Sequence, residues 1–124
     1  MNLDAMSTTF KAVMGAAAKQ LGAAAEHEHQ ALQLLPDGAR TINNAAFNPI
    51  ADGLAAGQGA LKLVDEAIKL PVGRDSLQVA MSARSTIKQG LAEIIGLDRD
   101  NLAGGLTAAG GHFGHAGDLL RGLS

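Results

Sequence analysis

Residues 102–123, LAGGLTAAGGHFGHAGDLLRGL, combine two properties that oppose each other. Apolar residues recur in alternating steps of four and three, the heptad spacing of a helix seam, at Leu102, Leu106, Ala109, Phe113, Ala116, Leu120 and Leu123. The same stretch holds seven glycines, and together these cost a helix roughly 6 kcal/mol relative to alanine. We therefore expect this segment to be helical only where other helices pack against it.

Apolar stripes at helical spacing predict three further helices before this one. The four predicted segments cover about 3–35, 49–70, 75–96 and 101–123. Residues 36–38 and 71–73, which contain proline and glycine, end the first two segments, and Gly96 ends the third. The expected helix starts are Asn2 or Asp4, then Asn48 followed by Pro49, then a capping box of Asp75 with Gln78, then Asp98, Asp100 or Asn101.

The fold class follows from these stripes and from composition. The 124 residues suit one domain, and no alternating apolar pattern of strand length competes with the helical one. Alanine and glycine together supply about a third of the chain. We expect an all-α protein with three to four helices in antiparallel hairpins, closely packed through alanine and glycine, with a glycine-rich C-terminal helix.

Small residues repeat at helical spacing in several of these segments. The tetrapeptide at 15–18, Gly-Ala-Ala-Ala, recurs at 22–25, and glycines also lie four apart in the second and fourth segments. Small side chains on one helix face allow another backbone to approach closely. The predicted helix-packing interface consists of Gly15, Gly22, Gly53, Gly57, Leu106, Gly110, Phe113, Gly114, Gly117 and Leu120.

The first segment is long for a compact bundle. Its 33 residues would span about 50 Å, against about 33 Å for segments of 22 residues. It therefore overhangs the bundle or breaks at 26–29, where Glu28 falls inside the apolar stripe. An overhanging helix with a face of small residues is expected to pack against a second chain.

The sequence shows no pattern of an enzyme or a cofactor site. The absence of cysteine excludes disulfides and thiolate chemistry. His112 and His115 lie three apart and could share a helix face, whereas His27 and His29 lie two apart and could not. Without further ligands at metal spacing, we predict no tight metal site and no cofactor.

Charge and targeting patterns limit the possible partners. The net charge is −2, and the basic residues are dispersed without tyrosine or tryptophan between them, so tight nucleic-acid binding by a monomer is not expected. The N-terminus lacks the basic region of a secretory signal, and no stretch is apolar enough to span a membrane. We expect a soluble protein that is cytoplasmic, or is exported or incorporated into a virion without such a signal.

Two classes of function remain open. The first is a non-catalytic structural subunit that assembles with copies of itself, alone or together with other structural proteins, into an oligomer, tube or filament. The amino-acid composition of the chain, which supports this class, is similar to that of exported helical pilus subunits and of some phage structural proteins. The alternative is an amphipathic protein that binds a lipid, membrane or granule surface, or a secreted effector, through the stripe of the first segment.

Overall fold

The computed structural model describes residues 3–124, with side chains from residue 7 onward. The chain forms four α-helices, α1 (Leu3–Leu34), α2 (Asn44–Ala67), α3 (Arg74–Ile95) and α4 (Leu102–Arg121). No strand occurs between residues 3 and 124, so the predicted all-α class is confirmed. Asn2 and the side chain of Asp4, the two expected caps of α1, lie outside the described residues.

Consecutive helices pack antiparallel. Gly53 of α2 lies against Glu28 of α1, whereas Gly59, further along α2, lies against Gln20, earlier on α1. The same kind of evidence shows that α2 and α3, α3 and α4, and α1 and α4 are also antiparallel pairs. The helices therefore form an up-down-up-down four-helix bundle. Of the four neighbouring pairs, α1 and α2 share the most extensive contact, and α2 and α3 the least.

Small side chains make up roughly half of the core, since about half of its buried apolar residues are alanines. The heptad seam of α4 is part of this core: Leu102, Leu106, Ala109, Phe113, Ala116 and Leu120 are all buried. Helix α4 packs against α1 and α3 of the same chain. The support that a glycine-rich helix requires is thus supplied inside one chain.

Helix α2 begins five residues earlier than predicted, so the assignment of Asn48 as its N-cap was wrong. The N-cap is Asn43, whose side-chain oxygen accepts a hydrogen bond from the Ala46 amide at 2.8 Å. Its side-chain nitrogen donates to the Leu34 carbonyl at 2.9 Å and so ties the end of α1 to the start of α2. Pro49 lies inside the helix, where it removes one intrahelical hydrogen bond.

The ends of α3 and α4 agree in part with the prediction. The capping box of Asp75 and Gln78 was wrong, because the N-cap of α3 is Gly73 and no side chain caps it. Asp75 instead lies in the first turn, where its charge favours the positive end of the helix dipole. Gly96 is the C-cap of α3, as predicted, and Asn101 is the N-cap of α4, though its side chain makes no capping bond.

Helix α1 runs without interruption through 26–29, so the predicted break does not occur. The expected overhang is also absent over residues 7–34. Near its start, Phe10 lines a cleft together with Val72 of the α2–α3 connection and Leu123 of the C-terminus. Near its end, Leu32 lines another cleft with residues of the α3–α4 connection. The connections cover the extra length of α1, so this length does not by itself require a second chain.

None of the helices in the described part of the chain combines the length and the apolar character needed to cross a bilayer.

Candidate functional site

Glu28 is the one buried polar or charged residue among the described side chains, with no exposed surface. It lies on the face of α1 that carries the apolar stripe, as its sequence position indicated. The helix does not break to release it, because the residues around it keep their helical hydrogen bonds and pack against α2 and α4. A carboxyl group therefore lies inside the bundle.

Two glycines on neighbouring helices make the space for this side chain. A methyl group added at Gly53 of α2 would overlap the Glu28 carboxyl group, with Oε1 and Cδ as its nearest neighbours. A methyl group at Gly110 of α4 would lie 3.9 Å from the Glu28 Cβ, an ordinary contact. Glu28 thus occupies the point where α1, α2 and α4 meet, and Gly53 is the tighter of the two contacts.

The Glu28 carboxyl group has no partner, since neither oxygen forms a hydrogen bond and no ion pair involves it. Burial disfavours the charged form and raises the pKa of Glu28 from 4.5 to about 8. The group is therefore protonated and neutral around neutral pH. It loses its proton only when the pH rises above neutrality, and no cation then compensates the resulting negative charge.

The structure divides the predicted packing residues into two groups. Those that contact other elements of the same chain are Gly15, Gly53, Gly57, Leu106, Gly110, Phe113, Gly117 and Leu120. Gly22 and Gly114, in contrast, have nothing within 4 Å of an added methyl group. These two glycines have no close-packing role inside the described chain.

Phe113 is held between glycines of two helices. Methyl groups added at Gly57 of α2 and at Gly90 of α3 would come within 2.9 Å and 2.7 Å of its ring. Gly90 was not among the predicted packing residues, although the sequence contains a signal for it. Gly90 lies between Ile87 and Ile94 at steps of three and four, on the buried face of α3.

Substitution of glycine by leucine is expected to have opposite effects at two positions of α4, the open Gly114 and the packed Gly117. Gly114→Leu should raise the free energy of unfolding by roughly 0.8 kcal/mol through helix propensity, because the side chain has room. Gly117→Leu should lower it by about 1–3 kcal/mol, because Leu21 Cβ already lies 3.5 Å from an added methyl group. Urea denaturation of both variants at low protein concentration measures these changes. Loss of stability in Gly114→Leu under these conditions would contradict the open position of Gly114.

The histidines do not form a recognisable metal centre. The described residues contain no group of three or more histidine or acidic side chains placed to hold an ion. His29 is exposed, and its ring lies 3.3 Å from the Gln33 amide nitrogen. The absence of a tight metal site in the protein stays a prediction, which metal analysis of the purified protein would test.

One end of the bundle carries most of the exposed large apolar side chains. We define the apical patch as Leu34, Ile42, Phe47 and Ile95, which lie at the end where α1 and α3 finish. Phe47 and Ile95 are 59% and 75% exposed. Among the described residues, Met81 is the one other large apolar side chain with this degree of exposure, and it lies towards the opposite end of α3.

The two connections at the apical end enclose a cleft of about 500 Å³. Arg40 and Asp100 bridge the connections at 2.7 Å, and both side chains are largely exposed. Such a surface ion pair contributes at most about 1 kcal/mol, so it orients the connections more than it stabilises the bundle. The apical end thus combines exposed apolar groups with charges of both signs.

Comparison of the chain with protein-family models, curated proteins and solved structures found no match.

Proposed function

We propose that the protein is a non-catalytic structural subunit that associates with copies of itself through the apical patch. The exposure of Phe47 and Ile95 at one end of the bundle supports this proposal. Burying a side chain of either type contributes about 1.5–3 kcal/mol. Exposed large apolar groups that share one end of a protein are a candidate interaction surface.

The charges near the apical patch favour a second copy as the partner. Arg40 and Arg99 lie near Asp98 and Asp100, so this end presents both signs of charge. In a two-fold arrangement the same surface meets itself, and a surface with both signs can pair positive with negative groups. A single-sign surface would instead favour a partner of opposite charge.

The two sequence features that suggested self-association, the glycine-rich α4 and the length of α1, do not require a second chain. Helix α4 obtains its packing partners from α1 and α3, and the length of α1 is covered by the connections. The apical patch is the feature that remains without a partner in the described chain.

Substitution of the apical patch should weaken self-association. The variant Phe47→Gln with Ile95→Gln should raise the dissociation constant at least about tenfold, because each tenfold step needs only 1.4 kcal/mol. Met81→Gln is the matched control, since Met81 is also exposed but lies outside the patch. Light scattering after size exclusion, over a range of protein concentrations, measures the association.

Two outcomes would contradict the proposal. One is a wild-type protein that remains a monomer at high micromolar concentration, and the other is an equal loss of association in the Met81→Gln control. A monomer that floats with lipid vesicles would favour the alternative function, binding to a lipid surface. The α1 stripe that motivated this alternative is buried in the bundle at Phe10, Met14 and Leu21.

A further inference from the structure

The carboxyl group of Glu28 is enclosed where three helices approach closely. A methyl group added at Gly53 would lie 3.2 Å from the Ala24 carbonyl oxygen of α1, besides overlapping the Glu28 side chain. The backbones of α1 and α2 are therefore close here, and the Glu28 side chain fills the space that remains between them. To hydrate a charged Glu28, these helices must move apart.

We propose that Glu28 is a proton-operated latch: while it is protonated, residues 24–34 of α1 stay packed against α2 and α4, and when it is ionised they move away. This inference is independent of the proposed self-association. It concerns the closure of the bundle, and it rests on the burial of Glu28, its lack of a partner and the close approach at Gly53.

No neighbouring charge compensates the ionised form. The titratable residues nearest in sequence to the contact points are Glu26, His27 and His29 on α1, Asp52 on α2 and His112 on α4. None of them forms a hydrogen bond or an ion pair with Glu28. Gly53 of α2 and Gly110 of α4, which lie against Glu28, carry no charged side chain. Loss of the proton therefore leaves an isolated negative charge in an apolar setting, which burial opposes.

The distribution of apolar side chains decides which part of the bundle opens. Large buried residues anchor α1 as far as Leu21, namely Phe10, Met14 and Leu21. Beyond Leu21, the fully buried apolar residues of α1 are only Ala24 and Ala31, and Leu32 is partly buried against the core. Since hydrophobic stabilisation scales with the apolar area buried, residues 24–34 are held more weakly. Opening is expected there, with the part of α1 up to Leu21 still in place.

Amide hydrogen exchange across a pH series tests the latch. In the wild-type protein, protection of residues 24–34 should fall at least about tenfold between about pH 6 and 9, after correction for the intrinsic exchange rate. Residues 10–21 should remain better protected than residues 24–34 at every pH, because they exchange only when the whole bundle unfolds. The variant Glu28→Gln should show no such local loss. Glu26→Gln, which removes the same charge from an exposed position two residues away, should behave as the wild type.

Three results would overturn the proposal. They are equal protection of residues 10–21 and 24–34 across the pH series, the same loss at 24–34 in Glu28→Gln, and its abolition by Glu26→Gln. Should Glu28→Gln fail to fold, the carbon NMR signal of the Glu28 carboxyl in the wild-type protein provides an independent measurement. A midpoint above neutrality that coincides with the exchange at 24–34 supports the latch, and a midpoint in the usual range for glutamate refutes it.

Discussion

The free energy of unfolding is expected to fall by about 5 kcal/mol as the pH rises from 4.5 to about 8. The folded-state pKa of Glu28 is raised from 4.5 to about 8, and each pKa unit corresponds to about 1.36 kcal/mol. Between these two pH values the folded protein binds one proton more than the unfolded chain does. The contribution of Glu28 to stability is therefore fully present below pH 4.5, decreases as the pH rises and is lost by about pH 8.

This expected change is large relative to the stability of a small domain, which is typically 5–15 kcal/mol. Urea denaturation followed by circular dichroism, at several pH values across this range, measures it directly. Glu28→Gln should lack the decrease, because glutamine does not ionise, and Glu26→Gln should retain it. Parallel pH profiles for the wild type and Glu28→Gln would refute the assignment to Glu28.

The second large effect is expected at Phe113. Phe113→Ala should lower the free energy of unfolding by about 3–5 kcal/mol, because it leaves a cavity where α2, α3 and α4 meet. The ring is fully buried and lies against Gly57 and Gly90. Phe47→Ala is the matched control, since the same substitution at an exposed side chain should change the stability of the monomer by less than about 1 kcal/mol.

A double-mutant cycle tests whether the glycines are there to admit the ring. Gly90→Ala should cost about 1–3 kcal/mol in the wild type, because the added methyl group meets the ring. In the Phe113→Ala background the same substitution should be neutral or stabilising, since the obstruction is gone and alanine favours the helix. Equal effects of Gly90→Ala in both backgrounds would show that the ring and the glycine do not interact.

The extent of prediction from sequence differs between the helices. The segments at 75–96 and 101–123 lie within two residues of the observed helix bounds at each end, because apolar spacing and a glycine C-cap are local signals. The start of α2 was misplaced because Asn48 with Pro49 resembles a helix start. Asn43 is preferred in the structure because it also bonds to the Leu34 carbonyl, a contact between two helices that local spacing does not contain.

At the candidate site, too, the sequence predicted one part and contacts between helices decided the rest. The sequence placed Glu28 on the apolar stripe but indicated two outcomes for α1, a break or an overhang. Neither occurs, because Gly53 provides the space for the carboxyl group and the connections cover the helix ends. Which glycine faces which side chain depends on how the helices are aligned with one another. The spacing of apolar residues along the sequence does not encode that alignment.

The sequence by itself determined the helical class, the four segments and the seam of α4, since these follow from the spacing of apolar residues along one chain. Only the tertiary structure decided that α4 finds its partners within the same chain, that Phe113 lies against Gly57 and Gly90, and that Gly22 and Gly114 remain open. It also decided that Glu28 is buried without a partner. The physical reason is that helix propensity and amphipathic spacing act between near neighbours in the chain, whereas close approach and desolvation depend on residues brought together from different helices.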